Sequence, residues 1–362
     1  MDNDIPRHNK FTRAIIATRA FINRHRIATL LISGSLAIAV VGNLAMALIG
    51  EPLPQVIHDI VIKKKEVYYA PLTGLKVSDK SDATKPVTAI IIENSPDARP
   101  QSGIKQAEIV YEAIAEGGIT RFMALYQQNK PNLIGPVRSI RPYYVDWYAP
   151  YDASMAHVGG SAKALKMIRS GDYRDLDQFF NDSTYWRATD RYAPHNVYTN
   201  FKRLDKLNKA KKYTSSQPKV FERTDEEPAK KPNTKRISIH ISSPLFDSSY
   251  SYDAGHNRYI RSQAGAQHKD REKGVITPKV VIVLKVDEET VIEETARQSI
   301  KTIGKGDAVI FQNGTAIKAT WQRSSRIDQL KFIDKAGEEI KLARGQTWIT
   351  AIDKSEGSVT WK

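Results

Sequence analysis

The chain has 362 residues, a formal net charge of +15 and no cysteine. The length suffices for two domains of ordinary size. Lack of a thiol excludes disulfides, thiol catalysis, cysteine-ligated metals and a cysteine-acylated lipid anchor. The charge points to an anionic neighbour such as nucleic acid, acidic lipid or an envelope polymer, without choosing among them.

Residues 1–26 form a polar tail with six Lys or Arg and two acids. Residues 27–50 (IATLLISGSLAIAVVGNLAMALIG) carry no charge. At about 1.5 Å per residue they match the thickness of a bilayer core. Beyond them, Glu51 and Asp59 precede the first lysine, Lys63. The positive-inside rule therefore predicts a single-pass membrane protein with a cytoplasmic N-terminus and its bulk extracytoplasmic. The triplet Ala45-Met46-Ala47 leaves a cleaved signal peptide as the competing reading. A chain placed outside the cell has no nucleic acid to meet, and no nucleic-acid-binding motif occurs.

Residues 51–86 read as a stalk, from Pro52, Pro54, Pro71, Pro86 and the polar run SDKSDATK. A first domain is predicted over 87–212. VTAIIIEN (87–94) is a buried strand that turns polar at its end, and the loop after it carries Arg99 and Gln101. AEIVYEAIAE and ITRFMALYQ flank Gly117-Gly118, a two-residue hairpin signal. In that register Arg121 faces Ile114, and Glu112, Ile114, Glu116 and Arg121 share one face. GPVRSIRP (135–142) then sets Arg138 and Arg141 three apart on a proline-bounded loop, which suits a planar anion. The aromatic run 142–150 reads as core, and ASMAHVGG (153–160) as a second apolar strand ending at His157. Ser161 caps a helix ending at Gly171, an order that resembles an anion cradle but lacks the full phosphate-loop pattern. Residues 199–213 form a basic helix with Phe201, Leu204 and Leu207 on one face.

Residues 213–236 are rich in Pro, Lys and Glu and read as an interdomain linker. From 237 to 354 the texture is strands and turns, with Asn313-Gly314 as the strongest hairpin signal. The fold class is thus α+β: a mixed-sheet domain with helices, then a mostly antiparallel β domain, behind one membrane helix.

Several constellations carry chemistry. His157, His195, Glu93 and Glu112 are metal-ligating types, but no histidine lies in a HExxH or HxH spacing, so neither a metal nor a cofactor is expected. Glu112 and Glu116 on one strand suggest acid–base work, with mutual neutralisation around Arg121 as the simpler reading. Ser161 and His195 lack a nucleophile elbow. His268 and Asp270 read as polar loop residues.

PLTGL (71–75), ENSPDARPQSGI (93–104), EAIAEGGITRFMALY (112–126), GPVRSIRP, HVGGSAKA (157–164) and APHNVYT (193–199) together resemble the motifs of the YerB-like family. YDAGHNRYIRSQAGAQHKD (252–270), AVIFQNG and GQTWITAI extend the resemblance over roughly residues 70–353. The family implies a membrane-tethered, extracytoplasmic, two-domain α+β protein of the bacterial envelope, often a lipoprotein, with no established reaction. Without cysteine, this chain must be tethered by its apolar helix. The motif polar residues fall on Asn94, Arg99, Gln101, Glu112, Glu116, Arg121, Arg138, Arg141, His157, Ser161 and His195. The expectation is a non-catalytic protein whose arginines bind an anionic envelope polymer or a cell-wall synthesis protein. The alternative is a hydrolase or transferase acting on a glycan or phosphodiester, with Glu112 or His195 as acid–base. A third reading makes the polar motifs purely structural.

Overall fold

Every side chain from Thr88 to Glu93 is buried, the mark of a strand covered on both faces. This strand, β1 (Thr88–Glu93), is central to the fold of the computed structural model, which describes residues 66–225, 227–291 and 297–362. The basic tail, the predicted span at 27–50 and residues 51–65 of the predicted stalk lie outside the described residues. Among the described residues no helix is long and apolar enough to cross a membrane.

From the first half, β2 (Ile109–Glu116), β3 (Ile119–Tyr126), β4 (Ser154–His157) and β5 (Arg174–Asp177) join β1 in one mixed sheet. From the second half, β6 (Arg236–His240), β7 (Ser248–Asp253) and β8 (Arg258–Gln263) build a separate antiparallel sheet. The chain then returns to the large sheet through β9 (Val280–Val286), β10 (Gly304–Gln312), β11 (Thr315–Arg323), β12 (Lys331–Ile333) and β13 (Thr347–Asp353). Its last strand, β14 (Ser358–Trp361), pairs with β6. The large sheet runs β12-β11-β10-β9-β13-β2-β3-β1-β4-β5.

The halves meet in the parallel pair β13–β2, from Thr347 opposite Ile109 to Thr350 opposite Glu112. The segments predicted as two domains therefore share one sheet, and Val67–Lys362 is one unit. The predicted linker is woven in as well. Phe221 is buried in the core, and Arg223–Thr224 pairs parallel with Leu342–Ala343. Ala70 and Leu72, placed in the stalk by composition, are also buried.

Two cores lie on opposite faces of the large sheet. On one face Tyr111, Ala113, Met123 and Leu125 meet α1 (Pro142–Tyr148) and α2 (Ala162–Ser170), so the aromatic run is core, as its composition predicts. On the other face Val110, Phe122, Ala124 and Trp348 meet Ile237, Tyr250 and Tyr259 of the small sheet and Phe201 and Leu204 of α3 (Phe201–Ala210). Ser161 caps α2 by accepting from the Ala164 amide at 3.3 Å.

The hairpin corrects the predicted face sharing. Glu116 does oppose Ile119 across the Gly117-Gly118 turn, whose residues have φ of 55° and 75°. A β-bulge between Ile114 and Glu116 then absorbs one residue, so Arg121 opposes Ala113 and Phe122 opposes Glu112. Side chains alternate along a strand, so Glu112 and Arg121 point to opposite faces. The bulge returns Glu116 to the face of Arg121.

Candidate functional site

Of the eleven polar residues that the motifs single out, ten fall into four groups and Ser161 stands apart. The largest is sealed between the two sheets. Glu112 is fully buried and meets Arg261 of β8, also fully buried, at 2.9 Å. Arg261 also donates to Tyr250 Oη at 2.8 Å and His268 Nδ1 at 2.9 Å. Its guanidinium carbon lies 4.5 Å from the centre of the Trp348 ring. Because Nδ1 of His268 accepts, its Nε2 donates to Gln101 Oε1 at 3.0 Å. Burial and the neighbouring Arg261 charge push the His268 pKa well below its usual value, which keeps the ring neutral as this pattern requires. Gln101 Nε2 donates to Asn94 Oδ1 at 2.9 Å, Arg99 Nε to the same oxygen at 3.1 Å, and Asn94 Nδ2 to Thr120 Oγ1 at 2.6 Å. Asn94, Arg99, Gln101 and Glu112 are thus brought together, but in a network already filled from inside. Glu112 is 0 % exposed, and its carboxylate is turned to Arg261 rather than to a cleft.

The second group lies on the other face. Glu116 bridges Arg121 and Arg141, and Arg121 also donates to the Ser139 carbonyl at 2.9 Å. Both guanidinium side chains are 4 % exposed. The third group holds His157. Its Nδ1 lies 2.8 Å from the Gly159 carbonyl and its Nε2 3.0 Å from Asp175 Oδ1. Burial raises the Asp175 pKa, but the hydrogen bond and charge of His157 outweigh it and hold the carboxyl low. Ser161, the helix cap, belongs to neither cluster.

The fourth group opens to solvent. At the end of β1, Glu93 Oε1 is 2.9 Å from His195 Nδ1, 3.0 Å from Ser95 Oγ and 3.3 Å from Arg138 Nε. His195 lines a cleft of about 690 Å³ with Arg99, Arg191, Tyr192, Arg271 and Asp97. Arg191 donates to the carbonyls of Asp97 at 2.9 Å and Pro100 at 2.7 Å, and Arg99 to those of Asn94 and Leu245, each at 2.9 Å. Neither guanidinium has a carboxylate partner among the described residues. Arg271 differs, because Asp190 lies 2.5 Å away. The four arginines predicted as one anion site are therefore split: Arg99 reaches the cleft, Arg138 stands behind it, and Arg121 and Arg141 are on the other cluster.

Arg261, His268, Arg191 and Arg271 were missed as site residues. His268 does lie between strands, as a loop residue would, but is 5 % exposed, while Asp270 accepts from the amides of Lys105, Glu272 and Lys273. The signal for Arg261 was present. Tyr259, Arg261 and Gln263 alternate inward along β8, so period-2 reading places a charge in the core and demands a buried partner.

A mixed sheet shared by two sequence modules, with an inter-module ion pair at its centre, defines the class. Residues 72–214 match the N-terminal domain of a protein family of unknown function (DUF3048), and residues 237–349 match its C-terminal domain. The "Putative lipoprotein YerB" of Bacillus subtilis (strain 168) is 36 % identical over 290 residues, covering 78 % of this chain and 86 % of that protein. The crystal structure of a YerB protein from Bacillus subtilis superposes with a TM-score of 0.72 at 29 % identity, covering 81 % of this chain and 99 % of that one. The chain belongs to the YerB-like family.

Proposed function

We propose that this protein is tethered to the membrane by residues 27–50, faces the outside of the cell, and binds an anionic envelope component in the cleft around His195. Three observations support the reading. The chain carries a net charge of +15. The name of the Bacillus relative places it among candidate lipoproteins, an extracytoplasmic and membrane-anchored class. The observation that carries most is local: Arg99 and Arg191 share one solvent-filled cleft, and both donate only to neutral acceptors. A guanidinium held rigid by carbonyls keeps its full charge for a ligand.

The test is binding of a synthetic poly(glycerol phosphate) to the detergent-solubilised full chain, against neutral dextran. Wild type binds the polyanion more tightly than dextran, and Arg191→Ala raises Kd about tenfold while the thermal transition holds. Equal affinity for both polymers, or unchanged affinity in Arg191→Ala, removes the proposal. Arg138→Ala is a poorer probe, because Arg138 sits against buried Glu93 and its loss disturbs that carboxylate.

A further inference from the structure

His195 is held in a way that anion binding alone does not need. Glu93 Oε1 accepts at 2.9 Å, and Ser95 Oγ, whose own proton goes to Glu93, lies 3.2 Å from the same ring nitrogen, so both partners place the proton on His195 Nδ1. The lone pair of the neutral ring is then on Nε2. That atom has no hydrogen-bond partner among the described residues, and its nearest carboxylate oxygen, Asp97 Oδ2, is 3.9 Å away. Glu93 is itself fixed by Ser95 and Arg138 at the end of a buried strand, so the ring orientation is set from behind. A carboxylate behind one ring nitrogen, with the other free in a cleft, is the arrangement of a general base.

We infer that the cleft is catalytic toward a phosphodiester, with His195 as general base and Glu93 as the positioning residue. The inference rests on the cleft binding an anion, as proposed above. His195 Nε2 takes a proton from a water molecule. The water oxygen bonds to phosphorus while one ester P–O bond breaks, and the departing alkoxide takes the proton from His195. Arg99 and Arg191 offset the charge on the non-bridging oxygens. Water is the only co-reactant, and the products are a phosphomonoester and an alcohol. Glycoside cleavage fits less well, because it needs two carboxyl groups flanking the bond. Here Asp190 is tied to Arg271 at 2.5 Å, and the Asp97 side chain is 83 % exposed.

The experiment uses the full chain in detergent with poly(glycerol phosphate), reading new phosphomonoester by phosphorus NMR and binding by calorimetry on the same samples. Wild type releases monoester, and the rate falls on the acid side of its pH profile. His195→Gln lowers kcat about 100-fold or more. Glu93→Gln lowers the rate and displaces the acid limb of the pH profile, which a purely structural role would leave in place. Binding without monoester formation between about pH 5 and 9 overturns the inference and leaves the binding role standing. An undiminished rate in His195→Gln overturns it too. No binding at all removes both. If Glu93→Gln fails to fold, the half-buried His195 variant decides alone.

Discussion

The Glu112–Arg261 pair makes a prediction that can be worked from the structure. Arg261→Met removes three hydrogen bonds and a charge from a site with no solvent exposure. Glu112 is left buried with Trp348 Nε1 at 3.3 Å and Thr350 Oγ1 at 3.5 Å on the vacated oxygen, neither of them charged. Breaking a buried ion pair from one side costs about 3–5 kcal/mol. Removing the second charge as well restores part of this, because an uncharged amide is far cheaper to bury than a lone carboxylate. Glu112→Gln/Arg261→Met should therefore be less destabilised than the two single losses summed, with a coupling of about 2 kcal/mol. Equilibrium denaturation in guanidinium, followed by tryptophan emission, measures this directly, since Arg261 lies against the Trp348 ring. Because the pair joins β2 to β8, the single variants should also broaden or split the unfolding transition. A loss below about 1 kcal/mol in Arg261→Met, with additive singles, would refute the claim that this network holds the halves together.

Three further outcomes follow from single residues. Burial, then the charges of Asp353 and Glu356, push the Glu288 pKa up to about 8 from 4.5. The folded state therefore keeps a proton that the unfolded state has lost, and stability falls as pH rises across that interval. Glu288→Gln should flatten the fall, as measured by denaturant midpoints at about pH 5 and pH 8. His268 has the opposite sign: its folded pKa lies below the usual 6.5, so its contribution is present above that pH and fades on acidification. His268→Gln should lessen the acid sensitivity of the thermal transition below about pH 6.5. Gly135 has φ of 154°, and a Cβ there would lie 2.8 Å from both the Val197 carbonyl and the Tyr198 ring. Gly135→Ala should cost about 1–3 kcal/mol in the same denaturation assay.

Local signals in the sequence were legible where one strand or helix decides them alone. The run TAIIIE, the Gly117-Gly118 and Asn313-Gly314 turns, the Ser161 cap and the aromatic core of α1 need nothing beyond their own neighbours. What failed was long-range or off by one residue. The bulge before Glu116 leaves no trace in composition, yet it separates Glu112 from Arg121 by the thickness of a sheet. The segment 213–236 looks like a linker because it is rich in Pro and Lys, but Phe221 is buried in the core and Arg223–Thr224 pairs with Leu342–Ala343. The join of the two modules is a parallel pair between strands more than two hundred residues apart, and no local pattern encodes it.

The motif positions themselves mix two kinds of arginine that a single sequence cannot separate. Arg121 and Arg141 give donors to Glu116, so their charge is spent inside the fold. Arg191, which no motif reading picked out, gives its donors to carbonyls and keeps its charge available. The distinction lies in the acceptor, neutral or anionic, and acceptors come from elements distant in the chain. Glu93 shows the same logic in reverse. It is the last residue of an apolar strand that turns polar at its end, and His195, Ser95 and Arg138 all converge on one of its oxygens. A buried carboxylate is costly to keep unless it is paired and hydrogen-bonded, and these three partners, drawn from three separate segments of the chain, supply that here.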